Sequence, residues 1–114
     1  MRTIIAGSRE LSPNIEKIVK QSGFNITTVL CGCAKGPDTS GKIWAESHNI
    51  PVENYPADWT TYGKRAGYLR NLTMAHNADA LIAIWDGYSK GTKHMIDLAR
   101  TFGLQTFVYL SNEV

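Results

Sequence analysis

The chain predicts an α/β fold, a Rossmann-like three-layer α/β/α sandwich built on a parallel five-stranded sheet of order 3-2-1-4-5. Three observations carry that expectation. Short runs are apolar throughout, as in Ala80-Leu81-Ile82-Ala83-Ile84-Trp85, which leaves no solvated strand face. Several runs end in a loop of glycine and small polar residues. A segment with apolar residues at helical spacing then follows. Strands alternating with helices give a parallel sheet covered on both faces, and right-handed crossovers restrict the strand order.

The elements follow in order. Arg2 to Ala6 reads as the first buried strand, ending at Gly7-Ser8-Arg9-Glu10. Ser12 is placed to cap a helix with Pro13 at its first position; Ile15, Ile18 and Val19 form its apolar stripe, and Gly23 ends it. Thr27 to Cys31 is the second strand. The loop Gly32-Cys33-Ala34-Lys35-Gly36-Pro37-Asp38 leads into a helix that runs to about His48, with Ile43, Trp44 and Ser47 on one side. Pro51 to Tyr55 is a short third strand, and Pro56 to Gly67 is the least regular stretch. Tyr68 to Ala78 is helical, offering Leu69, Leu72, Met74 and Ala75 for burial. Ala80 to Trp85 is strand four. The loop Asp86-Gly87-Tyr88-Ser89-Lys90-Gly91-Thr92 follows, with Thr92 placed to cap a helix over Lys93 to Phe102. Gln105 to Leu110 is strand five and Ser111 to Val114 a tail.

A chain of 114 residues forms one domain, 1–114, with a core large enough to need neither disulfides nor metal. The net charge of +2 and the lack of dense Lys or Arg runs argue against nucleic acid as a partner. Cys31 and Cys33 are too close for an ordinary disulfide and have no second pair to complete a zinc site. The first apolar run is too short for a signal peptide, and no stretch reaches transmembrane length. The expectation is a cytoplasmic protein with no membrane association and no cofactor.

Strands one and four lie side by side in the order 3-2-1-4-5, with helices leaving to opposite faces. Such a switch point is where ligands bind in open α/β sheets. Free N–H groups and the helix dipole suit an anion there, most often a phosphate. The loops that meet at this edge nominate Gly7, Ser8 and Arg9, then Asp86, Gly87, Ser89, Gly91 and Thr92, with Gly36 and Asp38 next door. Ser8 and Arg9 can contact phosphate or ribose oxygens, Arg9 through a planar fork. Asp38 caps its helix, contacts the ligand, or does both. Arg70 and Asn71 stand near a helix start, after a stretch in which Tyr62 or Trp59 could stack on a ring. Trp59 reads equally as a core residue or a dimer contact. Trp44 and Trp85 read as core, and His76 and His94 as helix-surface residues. No Ser-His-Asp order, paired carboxylates, metal spacing or Walker A loop stands out.

At Ala6-Gly7-Ser8-Arg9, Gly32 to Asp38, Arg70-Asn71-Leu72-Thr73-Met74 and Asp86 to Thr92, the sequence resembles the SLOG superfamily. That Rossmann-like group includes the LOG phosphoribohydrolases and the DprA proteins, and the likeness is nearer to its YspA/YpsA-related branch. The resemblance implies one pocket for a nucleotide-derived ligand, lined by Gly7, Ser8, Arg9, Gly36, Asp38, Arg70, Asn71, Gly87, Ser89, Gly91 and Thr92. It also implies a homodimer or higher homo-oligomer. One departure matters: the position of the LOG catalytic glutamate is Met95 here, and a thioether is neither acid nor base.

The expected function is therefore binding, by sensing or sequestration, of an ADP-ribose derivative, cyclic nucleotide or mononucleotide, with a phage antidefence sponge as a special case. A LOG-like N-glycosidic hydrolase using Asp86, Asp97 or a bound water is the alternative. A DprA-like nucleic-acid-associated protein is the third reading. No catalytic residue is assigned.

Overall fold

The computed structural model of the chain describes residues 1–111. The tail expected at Ser111 to Val114 therefore lies, past Ser111, outside the described residues. A five-stranded all-parallel sheet has the order β3-β2-β1-β4-β5. The strands are β1 (Arg2–Gly7), β2 (Thr28–Cys31), β3 (Val52–Asn54), β4 (Ala80–Trp85) and β5 (Gln105–Leu110). The helices are α1 (Ile15–Ser22), α2 (Pro37–Ser47), α3 (Trp59–Tyr62), α4 (Ala66–Asn77) and α5 (Lys90–Thr101), with a 3₁₀ turn at Gly63–Arg65.

The central strands are apolar on both faces because both are covered. Ile5, Ile82 and Ile84 meet Ile15 and Ile18 of α1 and Ala45 of α2. Ile4, Leu81 and Ala83 meet Met74 of α4 and Met95, Ile96 and Ala99 of α5. Full burial of one such isoleucine contributes roughly 1.5–3 kcal/mol relative to exposure. The helices that follow β1 and β4 thus lie on opposite faces, and the two strands part beyond the Gly7–Ile84 pair. No helix among the described residues is long and apolar enough to cross a membrane.

Several local expectations are corrected. Asn14, not Ser12, caps α1: its side chain accepts from the Lys17 N–H at 3.1 Å, so Pro13 precedes the helix. Ser89, not Thr92, caps α5, and that helix begins at Lys90. The stretch 56–67 is more regular than expected, because Asp58 caps the single turn of α3 through the Thr61 N–H. α2 buries Gly41 and Ala45 and leaves Ile43 60% exposed. A Cβ on Gly41 would stand 2.7 Å from Ile5 Cγ2, so close packing on β1 selects small residues rather than large ones. On α4, Met74 and Ala75 are buried, but Leu72 is exposed.

Candidate functional site

The cleft lies where β1 and β4 separate, at the carboxyl edge of the sheet. Its floor is Ala6, Met74 and Met95, and its deepest part holds about 100 Å³. Each wall is fixed by a local sequence device. Gly7 ends β1 because no larger residue fits: a Cβ there would collide with the Ile84 carbonyl and lie 2.7 Å from Pro37 Cγ. Beyond Gly7, the Ser8 N–H donates to Ile84 O at 3.0 Å, and the Ser8 Oγ accepts from the Asp86 N–H at 3.1 Å. These bonds hold the two loops together past the last ladder pair.

The Asp86 carboxylate accepts from the N–H groups of Tyr88 and Ser89, both at 2.8 Å. Those two donors, Ser89 foremost, hold its pKa below the ordinary value. Trp85 supports the same loop by donating its indole N–H to Ser89 O at 3.0 Å. Ser89 is thereby set to cap α5 through the Thr92 N–H. The first turn of α5 then faces the cleft at Gly91, where an added Cβ would meet nothing within 4 Å.

The second wall comes from the β2 loop. Gly36 caps α2 at φ 78°, with Pro37 at the first helical position. A Cβ on Gly36 would stand 2.6 Å from the Arg9 carbonyl, so this glycine lets the β1 and β2 loops touch. Asp38 is 5% exposed and accepts from the Ala34 N–H at 3.3 Å. Burial raises its pKa, against the pull of the Ala34 N–H, Arg70, the Gly7 N–H and Arg9. Asp38 thus ties the β1 and β2 loops together, and Gly36 rather than Asp38 occupies the cap position.

Arg70 reaches in from α4. Its Nη1 donates to the Gly32 carbonyl, and its Nε donates to Asn71 Oδ1 at 2.8 Å. Asn71 is buried and lies 3.2 Å from His94 Nδ1 through its own Nδ2. Arg9 is exposed, with no side-chain hydrogen bond to the protein among the described residues.

The structure brings Gly7, Arg9, Asp38, Arg70 and Asn71 together around this cleft, with Ser89, Gly91 and Thr92 on its α5 side. Ser8, Gly36, Asp86 and Gly87 lie outside its lining. Ser8 and Asp86 are spent on the loop bonds described, Gly36 on loop contact, and Gly87 turns at φ 87° beside Leu110. Two further spaces open from the same cleft, and both share Arg9 and Arg70 with it. One, of about 390 Å³, lies toward Cys33, Lys35 and Trp59. The other, of about 280 Å³, lies toward Trp59, Tyr68, Lys64, Lys90 and His94.

Three site residues were not singled out as such by the sequence reading. Gly32 carries the carbonyl that holds Arg70, and a Cβ on it would be 2.7 Å from Asp38 Oδ2 and 2.9 Å from Arg70 Nη1. Tyr68 walls the side chamber. His94 is half-buried there rather than on the outer helix surface, edge-on to Tyr68 at 4.3 Å between centroids. Its spacing of three from Gly91 puts both on one helix face, which was the available signal. Trp59 is 53% exposed and is not a core residue.

The carboxylates considered for acid–base work are otherwise engaged. Asp86 is held by its own turn, and Asp97 pairs with Lys93 at 2.9 Å on the outer face of α5. Cys31 is buried and its thiol is pushed up to about 11, so it is no nucleophile at neutral pH. Cys33, by contrast, is exposed. No cluster of three metal-ligating side chains occurs among the described residues.

Fold and cleft together define a Rossmann-like α/β protein with a basic cleft at its topological switch point. The chain is similar to the Gene 61 protein of Mycobacterium phage D29, with 38% identity over 82 residues, covering 67% of this chain and 66% of that protein. The match thus spans just under two thirds of that relative's length. No protein-family model and no solved structure matches the chain.

Proposed function

We propose that the cleft binds a nucleotide-derived small molecule, such as a mononucleotide, a cyclic nucleotide or an ADP-ribose derivative, which the protein senses or sequesters without turning it over. The observation that carries this reading is the convergence of Arg9, Arg70 and the open first turn of α5 on one cleft, beside the exposed rings of Trp59 and Tyr68. Two guanidinium groups and a helix N-terminus suit phosphate oxygens. The aromatic side chains offer faces for a base.

Hydrolysis finds less support. Met95 occupies the cleft floor at the position where the LOG pattern has its glutamate. The carboxylate on the lining of the deep cleft, Asp38, is bonded to backbone N–H groups. A phage-encoded relative is in keeping with sequestration of a host signalling nucleotide.

Mass spectrometry of small molecules released from the purified, denatured protein tests the reading directly. A nucleotide recovered intact, and bound again in calorimetry, is the expected result. Base release during incubation with AMP or NAD would replace the binder by a hydrolase. The homo-oligomer implied by the resemblance would use the exposed Tyr62 and Leu72, which share a surface groove apart from the space that Trp59 and Tyr68 wall, and light scattering at micromolar concentration should then exceed the 12.6 kDa monomer mass.

A further inference from the structure

The geometry points to the chamber beside α5 as a subsite for the heteroaromatic ring of the ligand, in which His94 donates its Nε2–H to an acceptor on the ring edge. This inference rests on the proposed nucleotide reading and adds the residue that reads the base. The hydrogen-bond chain fixes the imidazole. The Arg70 Nε–H is always a donor, so the Asn71 atom it meets at 2.8 Å is the carbonyl oxygen. The other end of that amide is then the NH₂ group, which faces His94 Nδ1 at 3.2 Å.

Because an amide NH₂ only donates, Nδ1 must accept, and the proton of the neutral ring sits on Nε2. Protonation of Nδ1 would set two donors against each other. Turning the amide over would oppose its NH₂ to Arg70. Burial also holds the His94 pKa below its ordinary value, against the opposing pull of Asp97, so the ring is neutral near pH 7.

Nε2 itself has no protein partner among the described residues. It is not sealed in either, since no buried side-chain nitrogen or oxygen there lacks a partner. His94 lines the chamber of about 280 Å³ that Trp59 and Tyr68 wall and Arg9 and Arg70 join to the deep cleft. A phosphate in the deep cleft would be served by the cations and by α5. A neutral donor beside two aromatic walls instead matches a ring nitrogen or carbonyl of a nucleobase.

The experiment pairs two probes, AMP and ribose 5-phosphate, which share the sugar phosphate and differ in the ring. Calorimetry is run on the wild-type protein and on His94→Phe, which keeps an aromatic ring against Tyr68 but removes both nitrogens. It is also run on His94→Gln, whose amide can replace the donor. The expected result is a loss of about three- to tenfold in AMP affinity for His94→Phe, partial recovery in His94→Gln, and unchanged ribose 5-phosphate affinity in both. Nitrogen NMR of the wild-type imidazole, which needs no variant to fold, should show the Nε2–H tautomer and a shift of Nε2 on adding AMP.

Equal loss for both probes, no loss for AMP, or an Nδ1–H tautomer would each overturn the ring subsite while leaving the nucleotide reading standing. Failure of the wild-type protein to bind either probe, or any recovered nucleotide, would overturn both.

Discussion

Replacing Gly91 by Asp should raise or preserve the stability of the ligand-free protein while weakening its affinity for phosphate. The side chain has room, since an added Cβ at Gly91 meets nothing within 4 Å. The backbone there is ordinary helix, so losing the freedom of glycine stabilises by about 0.4–1 kcal/mol. A carboxylate in the first turn also interacts favourably with the helix dipole, by about 0.3–1 kcal/mol. Together these raise the melting temperature by a few degrees, roughly 3–6 °C.

Binding moves the other way. A carboxylate about 4 Å from a bound phosphate repels it by about 4 kcal/mol at an effective dielectric constant near 20. Gly91 is exposed at the rim, so salt and solvent screen roughly half of that. The remaining ~2 kcal/mol is about thirtyfold in affinity. Gly91→Ala should share only the part of the stability gain that comes from losing the freedom of glycine, and bind within about threefold of wild type, because it adds volume without charge. Thermal melts without ligand and calorimetry with AMP read the two effects separately. An Asp variant that binds AMP as tightly as wild type would refute the placement of the anion at α5. A melting temperature lowered by more than about 5 °C would refute the claim that the site is open.

Arg9→Ala should cost at least about tenfold in AMP affinity with little change in melting temperature, since its guanidinium is exposed and, among the described residues, acts on the free protein only through its charge on Asp38. Arg70→Ala should cost as much affinity and also lower the melting temperature, because it strands the Gly32 carbonyl and Asn71 Oδ1, a penalty of roughly 1–3 kcal/mol. Met95→Glu should not release base from AMP in a chromatographic assay. It should melt well below wild type, because the new carboxylate enters the apolar cluster of Met74, Ile96 and Ala99. Glu53 accepts two hydrogen bonds from Arg2 at 2.7 Å, and this pairing, with that from Tyr55, lowers its pKa from 4.5 to about 2. Its contribution to stability is therefore full above pH 4.5 and lost as pH falls through about 2, so Glu53→Gln should flatten the loss of melting temperature across that window.

The sheet was legible because a strand covered on both faces must be apolar throughout, and Ile4-Ile5-Ala6, Val29-Leu30-Cys31 and Leu81-Ile82-Ala83-Ile84 announce that directly. Helix starts were less legible. Ser12 and Asn14 are both competent caps, and the choice falls to whichever oxygen reaches an N–H three residues on. The α5 start depends on the turn that Asp86 makes with Ser89, which a single cap residue does not reveal. The face of α2 was hidden for a different reason. Its contact with β1 is made by Gly41 and Ala45, and apolar periodicity follows large residues. At the site, the loops could be located, but the direction of each side chain could not. Ser8 turns to the Asp86 N–H, Asp86 to the N–H groups of Tyr88 and Ser89, Asp38 inward to the Ala34 N–H, and His94 to Asn71.

Arg70 and Arg9 present charge to the cleft at different entropic cost, and on the proposed reading that difference would set how the site discriminates. Arg70 is held at two points by neutral partners, the Gly32 carbonyl and the Asn71 amide. Among the described residues it is fixed without a paired carboxylate in salt-bridge contact; Asp38 is near enough to feel its charge but is already bonded to backbone N–H groups. The missing Cβ of Gly32 is what lets the guanidinium and Asp38 stand this close. A side chain already ordered in the free protein loses little freedom when a phosphate arrives, whereas ordering an exposed arginine costs about 0.5–1.5 kcal/mol. Arg9 pays that cost, and Arg70 does not. On the proposed reading, the directional part of anion recognition would therefore fall to Arg70 and the first turn of α5, both fixed before a ligand enters. Arg9 would add charge at the mouth, where it could follow ligands of different length.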